Sequence, residues 1–70
     1  MADVVKIEVN GESRETAAGQ TISGLLAELG LSKGRVAIEY NLQILPKAQW
    51  TETQVVNGDR VEIVQFVGGG

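Results

Sequence analysis

Apolar and polar side chains alternate over residues 3–9, the first patterned stretch of the chain. This period of two is typical of a strand with one face buried and one in water. Asn10-Gly11 comes next, and both residue types tolerate the positive φ angles of a tight hairpin turn. The pattern therefore predicts a hairpin, with residues 12–16 as a mostly polar return strand.

A helical period then replaces the alternation. Thr21 precedes the first apolar position, where its hydroxyl can accept a hydrogen bond from a free backbone N–H as an N-cap. Gly30 follows the last one and is predicted to end the helix in a left-handed conformation. Gly24 costs the helix about 1 kcal/mol relative to Ala, and we attribute it to close packing against the sheet. The predicted apolar stripe is Ile22, Leu25, Leu26 and Leu29.

The second half of the chain is predicted to add three strands. Residues 35–40 and 60–67 alternate over enough positions to be strands, and residues 43–45 form a shorter extended piece. Residues 47–50 are predicted to make one helical turn. Asn57-Gly58 predicts the turn that leads into the final strand.

This order of elements predicts an α+β fold in which one helix packs on one face of a mixed sheet. The first and last strands are the richest in β-branched residues, so we expect them at the sheet centre, paired in parallel. That is the β-grasp, or ubiquitin-like, architecture. We expect residues 1–67 to form this single domain and residues 68–70 to form a flexible C-terminal glycine tail.

Composition argues against catalysis by this chain. It has no cysteine and no histidine, and its nine carboxylates are scattered along the sequence. Thiolate chemistry, the usual general base and the usual metal ligands are therefore missing. We expect no enzyme activity, no metal and no cofactor.

Charge and hydropathy limit the partners. The net charge of −3 disfavours nucleic acid, which requires a basic surface. No apolar run approaches the roughly 20 residues of a membrane span, and the N-terminus lacks a signal-peptide core. We therefore expect no membrane partner and a cytoplasmic protein.

Gly68, Gly69 and Gly70 follow directly on the predicted last strand. Such an end can be a frayed terminus or the remnant of a linker. Glycine also has no Cβ, so an extended run of it can pass through a slot too narrow for other residues. In that interpretation Gly68 and Gly69 thread into a partner enzyme, and the carboxylate of Gly70 reaches its active site.

The parity of the last strand assigns its side chains to two faces. Val61 and Ile63 are predicted to face the helix, which places Val64 and Phe66 on the opposite, uncovered face. We predict that Val64 and Phe66 form a partner-binding patch. The alternative is that the segment from Pro46 to Trp50 folds over and buries Phe66.

Four stretches of the chain, taken in order, resemble the bacterial ThiS-type sulfur carriers of thiamine biosynthesis. The most telling positions are Asn41, Ile44, Pro46 and Trp50, then the Gly58-Asp59 turn and the final glycines. The resemblance covers essentially the whole chain. The four stretches are VVKIEVNGE, GQTISGLLAELGL, VAIEYNLQILPKAQW and NGDRVEIVQFVGGG.

The resemblance implies a chemistry for the tail. An ATP-dependent adenylating enzyme of the ThiF type would activate the carboxylate of Gly70. A cysteine-desulfurase-type source would supply sulfur to give a thiocarboxylate, and a ThiG-type thiazole synthase would use that sulfur. Gly69 and Gly70 match the terminal pair of the family, and Gly68 is an additional glycine.

Other functions remain open at this point. The small subunit of molybdopterin synthase, or another ubiquitin-like sulfur carrier or protein modifier, would share the fold and the tail. A non-catalytic β-grasp interaction module would share the fold alone.

Overall fold

The computed structural model describes residues 3–66. Within that range the elements follow one another in the predicted order, with bounds within one or two residues of those expected. The final strand is shorter than predicted, because it ends at Gln65 and Phe66 lies beyond it. Val67 lies outside the described residues. The elements are β1 (Val4–Val9), β2 (Glu12–Ala17), α1 (Ile22–Glu28), β3 (Val36–Tyr40), β4 (Gln43–Leu45), a 3₁₀ helix (Lys47–Gln49) and β5 (Arg60–Gln65).

The five strands of this region form one mixed sheet in the order β2-β1-β5-β3-β4. β5 lies at the centre, parallel to β1 and antiparallel to β3, with Val61 opposite Val9 and Ile63 opposite Ile38. This confirms the predicted central pairing of the first and last strands. The remaining neighbours, β1 with β2 and β3 with β4, are antiparallel.

The hydrophobic core lies between α1 and one face of the sheet. The helix contributes three of the four predicted stripe residues as buried side chains, and Leu29 packs partly buried at the edge of the core. Trp50 and Val55, from the segment between the 3₁₀ helix and β5, were not predicted to be core residues. The buried apolar residues are Ile7, Ile22, Leu25, Leu26, Ile38, Trp50, Val55, Val61 and Ile63.

The start of α1 is held by its own cap and by the segment that follows the 3₁₀ helix. Thr21 Oγ1 accepts from the backbone N of Gly24 at 3.0 Å, as predicted for the N-cap. The backbone N–H of Ile22 donates to the carbonyl of Thr53 at 3.0 Å, and that of Ser23 donates to the carbonyl of Trp50 at 3.1 Å. Three N–H groups that a helix start leaves free are thereby satisfied.

The helix ends where glycine predicts. Leu29 is the last residue with helical backbone angles, and Gly30 follows at φ 77°, a left-handed conformation that costs glycine little. The reason inferred for Gly24 is wrong, however. A Cβ built there would lie 2.0 Å from Gln20 Oε1 and 3.3 Å from Thr21 Oγ1. The close neighbours of Gly24 are thus the residues that precede the helix, and the sheet is not among them.

Two asparagine side chains complete the pairing of β5. Asn10 and Asn41 both lie in turns at positive φ, just past the ends of the strands beside β5. Asn10 Oδ1 accepts from the backbone N of Ile63 at 2.7 Å, and Asn41 Oδ1 accepts from that of Arg60 at 2.8 Å. Each side chain serves as an acceptor where the neighbouring strand no longer offers a backbone carbonyl.

Asp59 forms a buried polar cluster immediately before β5. Its carboxylate accepts hydrogen bonds from the hydroxyl of Tyr40, from Asn41 Nδ2 at 3.1 Å and from the backbone N of Val56 at 2.8 Å. The aspartate is buried, and these donors offset the cost of removing its charge from water. The cluster ties the β3–β4 turn to the loop that enters β5.

The Tyr40 hydroxyl gives this cluster a measurable pH signature. Burial, and then the hydrogen bond to Asp59 and its negative charge, raises the pKa of Tyr40 from 10.0 to about 12. A raised folded-state pKa stabilises the fold fully below the unfolded-state pKa, and that stability is lost as the pH rises from 10 through 12. We expect the free energy of unfolding to fall over this interval more steeply in the wild type than in Tyr40→Phe.

Denaturant titrations at a series of pH values measure this difference. Tyr40 is the only tyrosine of the chain, so the ultraviolet absorbance of the phenolate reports on it directly. Half-ionisation at pH 10 in the folded protein would contradict the proposed burial and hydrogen bonding of the hydroxyl.

Candidate functional site

The two faces of β5 differ in what covers them. Val61 and Ile63 point into the core beneath α1, as predicted, and Ile63 is only 8% exposed. Val64 and Phe66 are 53% and 60% exposed. The alternative in which the segment from Pro46 to Trp50 buries Phe66 is therefore wrong.

Trp50 lies in the core instead of covering Phe66. Its indole Nε1 donates to the carbonyl of Leu45 at 3.0 Å, which fixes the ring on the helix side of the sheet. Pro46 and the 3₁₀ helix therefore turn the chain back toward α1. The face that carries Val64 is left open by the same turn.

The neighbouring strand holds Val64 and Phe66 in place. Val64 lies opposite Ala37 in the antiparallel β3–β5 pair. The backbone N of Phe66 donates to the carbonyl of Arg35 at 3.0 Å, so pairing continues one residue beyond the strand. Both apolar side chains are thus fixed on paired backbone at the C-terminal end of the central strand.

Charged residues line this open face along the first part of β5. Arg60 Nε donates to Glu8 Oε2 at 3.1 Å across the parallel β1–β5 pair. Glu62 lies opposite Glu39 in the β3–β5 pair. The open face is therefore apolar near the end of β5 and charged toward its beginning.

The predicted tail lies beyond the part of the chain that the structure describes. Gly68, Gly69 and Gly70 fall outside residues 3–66, so their role in threading and in covalent modification stays a prediction. Phe66 is the last described residue, and four residues separate it from the carboxylate of Gly70.

Two kinds of feature are absent from residues 3–66. In that range, His, Cys, Asp and Glu side chains form no group of three that could hold a metal ion. Neither helix described there has the length and apolar character needed to cross a bilayer.

Known proteins resemble this chain in sequence and in fold. The profile of the ThiS family matches residues 7–70. The sulfur carrier protein ThiS of Escherichia coli is 35% identical over 66 residues, which cover 94% of this chain and 100% of that protein. The crystal structure of the thiamine biosynthesis protein ThiS from Geobacter metallireducens superposes with a TM-score of 0.77 at 29% identity, covering 94% of this chain and all of that one.

A larger protein contains a similar segment. The thiazole synthase of Paramagnetospirillum magneticum is 46% identical over 66 residues, which are 94% of this chain. The same residues make up 20% of that protein. The chain thus spans about a fifth of the length of this relative.

The exposure of Phe66 predicts a small effect on stability when it is shortened. Phe66→Ala removes a side chain that is mostly in water, so we expect the melting temperature to change little. Ile63→Ala, three residues earlier in the core, should cost about 2–5 kcal/mol because it leaves a cavity. Thermal and urea unfolding of the two variants measure the contrast. Equal losses of stability would mean that Phe66 packs in the core.

Proposed function

Because the chain belongs to the ThiS family, we propose that it is the sulfur carrier of a thiamine-forming pathway. A ThiF-type enzyme adenylates the carboxylate of Gly70, and sulfur then displaces AMP to leave a thiocarboxylate. A thiazole synthase takes up that sulfur. The family match over residues 7–70, which includes the glycine tail, carries the proposal.

The chemistry explains why the chain needs no catalytic groups. A carboxylate is a poor electrophile, and adenylation converts it to a mixed anhydride with AMP as a good leaving group. A sulfur nucleophile attacks the carbonyl carbon, and AMP leaves with the electron pair of its C–O bond. Hydrosulfide gives the thiocarboxylate directly, whereas a persulfide gives an acyl disulfide, whose S–S bond a thiol of the partner enzymes must then reduce. The chain has no cysteine or histidine. Its partners supply the catalysis, and it acts as their substrate and not as an enzyme.

The central position of β5 suits this role. Hydrogen bonds on both edges hold the strand, so the residues that follow it start from a fixed point. Four extended residues beyond Phe66 span at most about 14 Å. Because glycines have no side chains, residues 68–70 keep the end of this segment narrow. The folded body docks outside the partner's active site while Gly70 reaches into it.

Val64 and Phe66 are the proposed contact beside that entrance. They lie on the strand that leads to the tail, and both are largely exposed. Apolar side chains at the centre of an interface contribute most of its binding energy. Docking through these two residues positions the tail at the entrance of the partner's active site.

The partners are assigned on different grounds. The thiazole synthase relatives carry a similar segment within their own chains, which supports a thiazole synthase as the acceptor. The ThiF-type adenylating enzyme and a cysteine-desulfurase-type sulfur source follow from the family resemblance. These enzymes and the sulfur carrier act in the cytoplasm. Relatives named ThiS favour the thiamine role over the molybdopterin role.

The tail chemistry predicts a change in intact mass. Incubation with ATP, the cognate adenylating enzyme and a sulfur source should replace one oxygen of the Gly70 carboxylate by sulfur. Mass spectrometry detects that replacement. A chain without Gly70 should fold normally and show no change in mass. Unchanged mass in the wild type under these conditions would refute the sulfur-carrier proposal.

The variant Gly69→Val tests whether the tail passes through a narrow channel of the partner enzyme. Gly69→Val adds a branched side chain to the tail and should block threading, so thiocarboxylate formation should fall at least about tenfold, as expected for a misplaced reacting group. The folded body should keep its melting temperature. Thiolation of Gly69→Val at the wild-type rate would show that the channel is not narrow at this position.

The docking contact is tested with two matched valines. Val64 and Val56 are exposed to a similar degree, but Val56 lies in the loop before β5, at the opposite end of the strand from Phe66. Val64→Ala and Phe66→Ala should weaken binding to the partner enzymes, with Phe66→Ala costing about 1 kcal/mol or more. Val56→Ala should bind as the wild type does. Isothermal calorimetry measures these affinities, and equal affinities for all three variants would remove the patch from the interface.

A further inference from the structure

Two glutamates lie directly opposite each other on the open face of the sheet. Glu39 of β3 pairs with Glu62 of β5 in the antiparallel register. Their neighbours Ile38 and Ile63 point into the core, so both carboxylates lie on the uncovered face. Like charges placed opposite each other across two strands destabilise a sheet.

No salt bridge within residues 3–66 engages either glutamate. The salt bridges found within residues 3–66 join Arg14 to Glu28 and Arg60 to Glu8. Arg60 is the cation two residues before Glu62 on the same face, and its guanidinium is already engaged by Glu8 at 3.1 Å. Within residues 3–66, therefore, two glutamates without a salt bridge lie opposite each other on β3 and β5.

Apolar side chains flank this acidic pair. Ile44 of β4 lies opposite Glu39 and is 70% exposed. On the other side, toward the end of β5, lie the exposed residues of the proposed docking contact. We call this surface the acidic–apolar patch: Ala37, Glu39, Ile44, Glu62, Val64 and Phe66.

We propose that the acidic–apolar patch docks on a surface of thiazole synthase that presents arginine or lysine side chains among apolar ones. The proposal rests on the proposed function and adds the charge of the partner's surface. An arginine above the Glu39–Glu62 pair would form charge-assisted hydrogen bonds with both carboxylates while apolar groups exclude water around them. Ile44 and Val64 lie on either side of the pair, where such groups would pack.

Two features of the acidic–apolar patch favour thiazole synthase as its partner: its negative charge, and its position on the strand that leads to Gly70. The patch carries two carboxylates that no salt bridge of residues 3–66 engages, so a partner with a basic surface complements it. It also continues into the strand that leads to Gly70. A similar segment forms a fifth of two thiazole synthase chains, so in those relatives it is part of the same chain as the rest of the enzyme.

Removing the charges of Glu39 and Glu62 should therefore raise the stability of the fold and weaken its binding to the partner. In the free protein the repulsion between Glu39 and Glu62 costs stability, and the partner's cation turns both carboxylates into favourable contacts. Surface charge pairs also speed association, and salt screens them. A merely structural pair would respond differently, because its loss would lower stability or leave binding unchanged.

The double variant Glu39→Gln/Glu62→Gln tests the proposal. We expect its melting temperature to rise by roughly 1–6 °C as the repulsion disappears. Its affinity for thiazole synthase of the same organism should fall about tenfold, with a weaker dependence on salt. Glu62→Lys places a cation opposite Glu39 and should stabilise the fold while weakening binding further.

A matched control removes the same charge elsewhere. Glu12→Gln/Glu52→Gln changes one residue at the start of β2 and one in the loop after Trp50. It should bind with wild-type affinity and salt dependence. The proposal is overturned if the patch variant binds as the control does, or if it is less stable than the wild type. Patch-dependent binding to the adenylating enzyme alone would also overturn it.

The failure of this proposal is separable from that of the sulfur-carrier function. Wild-type protein that gains a thiocarboxylate, together with patch variants that bind thiazole synthase normally, would refute the acidic–apolar patch alone. Wild-type protein that gains no thiocarboxylate would refute the proposed function, whatever the patch variants do.

Discussion

The pairing of β5 on both of its edges is the constraint on which the rest of the structure depends. The strand is the last element in the sequence, and it lies between β1 and β3 in the sheet. β1 turns away at Asn10 and β3 at Asn41, before either can pair with all of β5. The side chains of these two asparagines take over as acceptors for Ile63 and Arg60. Without Asn10 the partly buried backbone N–H of Ile63 would lose its partner, which costs about 1–3 kcal/mol if it stays away from water.

Because β5 is held in this way, the alternation of its side chains assigns them to two different faces of the sheet. One set of side chains joins the core under α1, and the next set faces outward, where Val64, Phe66 and Glu62 lie. The small helix covers one face, and the segment around Trp50 closes over the start of that helix. The other face is thus left uncovered within residues 3–66 by the direction in which the chain turns after β4.

Local patterns predicted the elements and their order, because alternation, helical period and turn signals depend only on residues that are close in sequence. The parallel centre followed from which strands were most β-branched. Features that depend on register were not predictable in this way. The opposition of Glu39 and Glu62, the acceptors on Asn10 and Asn41, and the cluster around Asp59 all join residues far apart in sequence.

Asn10 was predicted as a turn residue, and nothing nearby indicated its second role. The interpretation of Gly24 failed for a related reason, since its neighbours depend on the rotamer of Gln20. The roles of Gly68, Gly69 and Gly70 stay predictions.

The parallel β1–β5 pair also sets the order in which a newly made chain can fold. Glu8 and Arg60 lie side by side, although 52 positions separate them. While the ribosome is still adding the middle of the chain, β1 has only β2 as a partner, and an isolated two-stranded hairpin is marginally stable. Closing the sheet across so long a separation is slow and costs loop entropy. A chain interrupted before β5 therefore lacks the strand that closes the sheet and is exposed to proteolysis. Translation must pass the central strand before there is a folded body, so residues 67–70 emerge from the ribosome only after every element of the sheet has been made.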